Sequence, residues 1–249
     1  MRRYFLYLMY RGTAYFGWQV QPGKPSIQAE LERVLSVLLQ KEVGVTGAGR
    51  TDTGVHAEMM VAHLDIDVSP AKCTQLIYKL NRILPADISV QYLKEVKSSS
   101  HARFDAISRT YQYRIATKKN PFLTGLRTFI YDQTDLDAMN KSCSYMLDYK
   151  DFTSFSKLHT DVKTNKCDIM HAHWYADDYG LIFEIKANRF LRNMVRAIVG
   201  TQLDIGRGKI KPEEIKTIIE KRDRSAAGKS VKPDGLFLTG IEYPEEIFI

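Results

Sequence analysis

From Gly44 to His56 the chain reads Gly-Val-Thr-Gly-Ala-Gly-Arg-Thr-Asp-Thr-Gly-Val-His, with one arginine and one carboxylate set among closely spaced glycines. Glycine admits backbone conformations and close approaches that other residues resist, so Gly47, Gly49 and Gly54 shape a turn that presents Arg50 and Asp52 together. A carboxylate held out in this way can act as nucleophile or base, while the same residues also suit an ordinary turn in which Asp52 caps local amides. Arg189, Arg192 and Arg196 follow at spacings of three and four. That spacing predicts one basic face on a helix from Arg189 to Leu203, with Phe190, Leu191, Met194, Val195 and Ile198 turned inward. Like charges so placed repel by about 0.2–0.5 kcal/mol unless an anion lies near, either a phosphate or a carboxylate such as Asp52. An arginine paired with Asp52 would hold it ionised. Tyr111 and Tyr113 alternate beside Arg109 and Arg114 in a short strand. Rings among cations suit a stacked base and its phosphate, and tyrosines on a strand also serve plain packing.

Several chemistries are excluded by spacing. A dinucleotide fingerprint needs a glycine where Asp52 stands, and a phosphate loop ending in Gly228-Lys229-Ser230 needs one where Asp223 stands, so that tripeptide carries no nucleotide argument. Cys73, Cys143 and Cys167 lie far apart with no Cys-x-x-Cys pair, which speaks against a disulfide framework or structural zinc and for a reducing cytoplasm. His171 and His173 alternate on one strand face near Cys167 and His159; solvated histidines are the expectation there, with no metal. The N-terminus reads as a strand, not a signal peptide, because Arg11 interrupts its apolar run. No run nears the roughly 20 apolar residues of a membrane span. The 36 bases against 29 acids give a net charge of +7, and the bases gather around Arg103–Arg114 and Arg189–Lys209, which favours a polyanionic partner.

The elements that must position these residues alternate. Residues 3–10 read as a strand, Ser26 to Gln40 as a helix with Ile27, Leu31, Val34, Leu35 and Leu38 on its apolar stripe, and Val61 to Val68 as a strand. A helix from Pro70 to Leu84 stops at Pro85, and Ile88 to Val96 returns as a strand. The second half repeats this grammar: a strand at Tyr111–Ile115, a helix from Asp135 to Leu147, a hairpin of Ile169–Tyr175 with Leu181–Ala187, the arginine helix, a helix opened by Pro212, and a strand from Gly235 to Tyr243. The expectation is an α+β chain of two similar subdomains, 1–106 and 107–249, facing each other across a cleft.

In order along the chain, several motifs resemble the tRNA pseudouridine synthase A family over nearly the whole length. They are Tyr10-Arg-Gly-Thr-Ala-Tyr-Phe-Gly-Trp-Gln-Val-Gln21, Gly47-Ala-Gly-Arg-Thr-Asp-Thr-Gly-Val-His-Ala57, Leu80-Asn-Arg-Ile-Leu-Pro85, His101-Ala-Arg-Phe104 with Arg109-Thr-Tyr-Gln-Tyr113, Asp151-Phe-Thr-Ser-Phe155, and Phe190-Leu-Arg-Asn-Met-Val-Arg196 with Ile198-Val-Gly200. The resemblance implies two α+β subdomains with antiparallel sheets around a basic central cleft, a homodimer, and conversion of uridines 38 to 40 of the tRNA anticodon stem-loop to pseudouridine without cofactor or metal. It implies Asp52 as the essential carboxylate, Arg50 as the group that fills the space of the flipped nucleotide, Tyr111 as the ring that stacks on it, and Arg196 as the partner of Asp52. Arg103, Arg109, Arg189 and Arg192 are the remaining candidates for RNA contact. The alternatives are a sister pseudouridine synthase with other RNA targets and an RNA-binding relative without catalysis. Arg11, Thr53 and Lys150 stand where the family more often has Asp, Ala and His, and no arginine stands near Lys166-Cys167.

Overall fold

A computed structural model of the chain describes residues 1–157 and 164–249. Its contacts divide into two units, the first of Met1–Ile107 with Leu238–Ile249 and the second of Ser108–Phe237. Nine strands and five α-helices are formed among the described residues, in an α+β arrangement.

The first unit is built on three long antiparallel strands. β1 (Arg2–Tyr10) lies between β3 (His56–Ile66) and β4 (Ile88–Val96), and the two-residue β2 (Thr46–Gly47) extends β3 at His63 and Ala62. The alternation that marks a half-exposed strand is absent from the start of β3, because His56, Ala57 and Met60–Leu64 are buried on both faces. That is why β3 begins five residues earlier than periodicity suggests. Helix α1 (Ile27–Leu39) starts where the Ser26 hydroxyl accepts from the Ala29 N–H, and it buries Ile27, Leu31, Val34 and Leu35. α2 (Pro70–Ile83) opens on proline and stops because Leu84, which precedes Pro85, is held extended.

In the second unit β5 (Ser108–Ala116) pairs antiparallel with β8 (Gly180–Ala187), which pairs with β7 (Ile169–Asp177); the short β6 (Thr128–Phe129) runs parallel to β5. α3 (Leu136–Met146) is capped by the Asp135 carboxylate on the Ala138 N–H. α4 (Met194–Gly206) is buried almost all round, as a helix apolar on every side must be. α5 (Glu214–Glu220) buries Ile215, Ile218 and Ile219. The last strand, β9 (Leu236–Glu242), carries the chain out of this unit. From Leu238 on, its residues belong with the first, where the Ile107 N–H donates to the Glu242 carbonyl, the Lys97 N–H to that of Ile247 and the Tyr243 hydroxyl to that of Ala102. A division at residue 106 by sequence places this tail in the second half; by its contacts Leu238–Ile249 goes with the first unit.

Candidate active site

Asp52 stands half-buried on the loop between β2 and β3, two residues after the exposed Arg50. The Val55 N–H donates to the Asp52 carbonyl (3.1 Å), closing a four-residue turn whose third residue, Gly54, has φ +79. A positive φ at that position is what a type II turn demands, so this glycine is dictated by the turn. Thr53, where alanine is more usual in the family, sits at the exposed second position of the turn.

The loop is held from behind by the segment that follows β1. The Tyr10 hydroxyl and the Thr51 hydroxyl share a buried hydrogen bond of 2.8 Å. The Gly12 N–H donates to Nδ1 of His56 (3.1 Å), the Trp18 N–H to the Thr51 carbonyl (3.2 Å), and the Gly54 N–H to the Tyr15 carbonyl (3.3 Å). Gly17, at φ +87, lies so close that a Cβ there would stand 2.3 Å from the Thr51 carbonyl oxygen. Read from sequence, Gly12 and Gly17 mark only a turn-rich segment. Their part as a backing for the Asp52 loop was visible only as an excess of glycine among aromatics, because the contact joins residues some forty positions apart.

The second unit holds the remaining candidates, and one expectation fails. Arg189 and Arg192 are not on the helix that carries Arg196: α4 starts at Met194, and Asn193 before it has φ +65, a left-handed conformation that no helix can propagate through. Asparagine tolerates that region, and its amide donates to the Ser230 hydroxyl (2.6 Å). The three arginines therefore share no helical face; Arg192 is exposed before the helix, and Arg189 is half-buried after β8. Arg196, in the first turn of α4, donates from Nε to the Val231 carbonyl (2.7 Å), while its own carbonyl accepts from the Val231 N–H (3.2 Å). The tripeptide Gly228-Lys229-Ser230 belongs to this support. The Gly228 N–H donates to the Thr201 hydroxyl (2.8 Å), and α4 approaches so closely that a Cβ on Gly200 would stand 1.9 Å from the Lys229 carbonyl oxygen.

On β5, Tyr113 is a core residue. Its hydroxyl bonds to that of Thr128 (2.6 Å) and donates to the Lys232 carbonyl (2.8 Å), and burial raises its pKa. Tyr111 is half-buried, with the Phe190 ring edge-on at 5.1 Å. Arg109 donates to the Asn188 carbonyl (2.8 Å), which ties the end of β8 to β5. In the first unit Arg103 is exposed, its guanidinium 5.7 Å from the Phe104 ring centre. His171 and His173 are exposed on one face of β7, and His159 lies outside the described residues. No group of three or more metal-ligating side chains is found among the described residues, and none of their helices is long and apolar enough to cross a membrane. Cys73, Cys143 and Cys167 are buried free thiols; burial pushes that of Cys167 up to about 11. Lys150, where the family more often has histidine, instead places its ammonium 2.6 Å from the Asp168 carboxylate at the surface.

The family model for tRNA pseudouridine synthase matches residues 7–105 and 149–244. A protein of Bacteroides fragilis named tRNA pseudouridine synthase A is 53% identical over 249 residues, covering 100% of this chain and 99% of its own. One of the same name from Porphyromonas gingivalis is 49% identical, covering 100% of both chains. A third, from Caldicellulosiruptor bescii, is 40% identical over 98% of this chain and 100% of its own.

Proposed function

This chain belongs to the tRNA pseudouridine synthase family, and from that premise we propose that it isomerises uridines 38 to 40 in the anticodon stem-loop of tRNA, with Asp52 as the essential carboxylate. Uridine and pseudouridine differ in the base atom joined to ribose. The N1–C1′ bond must break, the uracil must turn, and a C5–C1′ bond must form, with the proton lost from C5 balanced by the one gained at N1. No net oxidation occurs, so the chemistry calls for no redox group. A carboxylate can serve this path as nucleophile or as base, and both roles need a carboxylate held still against the ribose.

The observation that carries this reading is the backing of the Asp52 loop: two backbone hydrogen bonds, the Gly12 N–H on the His56 ring and the Tyr10–Thr51 hydroxyl pair fix the turn that carries Asp52. The target uridine must leave its stem, at about a few kcal/mol for unstacking and unpairing. Arg50, exposed two residues before Asp52, is suited to take the vacated space. Tyr111 would stack on the extruded uracil and Arg196 would supply positive charge, roles carried by the family motifs. Arg103, Arg189 and Arg192 would contact phosphate, with Arg109 shaping the strand end beside them. The protein would act as a cytoplasmic homodimer.

Pseudouridine mapped by position on unmodified tRNA, for wild type and Asp52→Asn with binding followed in parallel, tests this. Product confined to positions 38 to 40 and absent from the variant, with binding kept, is expected. Product elsewhere would reassign the target, and product from Asp52→Asn would remove Asp52 from the chemistry.

A further inference from the structure

Immediately before Arg50 the first unit carries a cavity of about 220 Å³, lined by Trp18, Gln19, Thr46, Gly49, Arg103 and Phe104 among others. The geometry points to this cavity as a second base-binding subsite, one that takes an unpaired nucleotide next to the target uridine; the inference rests on the activity proposed above. Phe104 is 73% exposed at its rim, an expensive place for a bare ring, and its face is the kind of platform on which an unpaired base stacks.

The platform is fixed in advance. Nδ1 of His101 accepts from the N–H groups of Arg103 (3.1 Å) and Phe104 (3.4 Å), the His101 N–H donates to the Asp105 carboxylate (2.8 Å), and the His101 ring lies 4.3 Å from that of Phe104. The turn that carries this ring is thus already ordered, so little backbone freedom is lost when a base settles on it. Arg50 and Arg103 both line the space, and Arg103 offers a guanidinium to a phosphate of the nucleotide held there. Gln19 and Thr46 are exposed at the wall and offer an amide and a hydroxyl to a base edge.

Gly49 supplies an independent sign. Its φ is not left-handed, and a Cβ built on it meets no atom within 4 Å, so neither backbone nor packing requires glycine there. The glycine leaves open the room that a side chain would take. Gly49 lies three residues from Asp52, at most about 10 Å of extended chain, so an occupant of this cavity is an immediate neighbour of the reacting nucleotide.

The test uses the full-length protein and tRNA made abasic one position at a time on either side of the target, with equilibrium binding and single-turnover pseudouridine formation measured for wild type, Phe104→Ala and Gly49→Leu. One abasic position is expected to weaken wild-type binding about 10-fold or more. Phe104→Ala and Gly49→Leu should show a similar loss with intact tRNA, unchanged thermal stability, and no further penalty from that abasic position. Abasic and Phe104→Ala penalties that simply multiply, or an absence of any flanking abasic effect, would overturn the subsite. Absence of pseudouridine from wild type on intact tRNA would instead refute the activity, while the binding cycle would still decide the subsite.

Discussion

Replacing Gly17 by alanine should slow the chemistry, destabilise the fold or do both, while leaving RNA binding nearly intact. The new Cβ would stand 2.3 Å from the Thr51 carbonyl oxygen and 3.0 Å from the Asp52 carbonyl carbon, where ordinary contact begins at 3.4 Å. The obstacle is backbone, which cannot swing aside like a side-chain tip, so the Thr51–Asp52 peptide has to retreat by about 1 Å. Alanine at φ +87 adds a conformational cost of about 1–2 kcal/mol. If the loop yields, the fold loses little more than that, and a displacement of about 1 Å at the reacting carboxylate costs about 10²-fold in rate. If the loop holds, the strain of overpacking adds about 1–3 kcal/mol and appears in the urea midpoint instead. Gly23→Ala is the matched control, because Gly23 also has a positive φ, +69, yet its Cβ would meet no atom within 4 Å. The assay is single-turnover pseudouridine formation at saturating tRNA, with urea unfolding and tRNA binding measured on the same preparations. Gly17→Ala should lose rate, stability or both beyond Gly23→Ala, with tRNA affinity kept. A Gly17→Ala enzyme with wild-type rate and the stability of Gly23→Ala, or equal slowing of both variants, would refute the idea that this segment sets the position of Asp52.

In the second unit, Gly200→Ala would force a Cβ to within 1.9 Å of the Lys229 carbonyl oxygen, and a destabilisation of about 1–3 kcal/mol in urea unfolding is expected, with the Arg196–Val231 contact disturbed as well. His63 is buried, its Nδ1 accepts from the Ala102 N–H, and burial, with His101 beside it, lowers its pKa to about 4. Between its ordinary value and that depressed one the unfolded chain binds a proton that the folded chain refuses, so stability should fall by up to about 3 kcal/mol as pH drops from about 6.5 to about 4, and the fall should be smaller in His63→Gln. If Arg103, Arg189 and Arg192 each neutralise one phosphate, tRNA affinity should drop about 40-fold between roughly 50 and 200 mM salt, and each arginine-to-glutamine change should flatten that slope.

The sequence alone determined the elements whose signals are local. Ser26, Asp135 and Pro70 start their helices as side-chain caps and a first-turn proline do, Pro85 ends α2, and the alternation of Ile88–Val96 matches β4 to the residue. It also determined the order of motifs on which the family rests, since those are strings of neighbouring residues. It misplaced what long-range packing decides. Arg189 and Arg192 have helical spacing, yet Asn193 turns left-handed and bonds to Ser230, thirty-seven residues on, so the helix begins after them. The early start of β3 was hidden because burial on both faces erases alternation. The role of Gly17 could not be read, because a glycine that admits the distant Thr51–Asp52 backbone looks the same in sequence as one that merely turns a loop. The loop that presents Asp52, the carboxylate proposed to react, was thus written locally; what holds that loop in place was decided only when distant segments closed on it, since excluded volume and backbone hydrogen bonds act between neighbours in space.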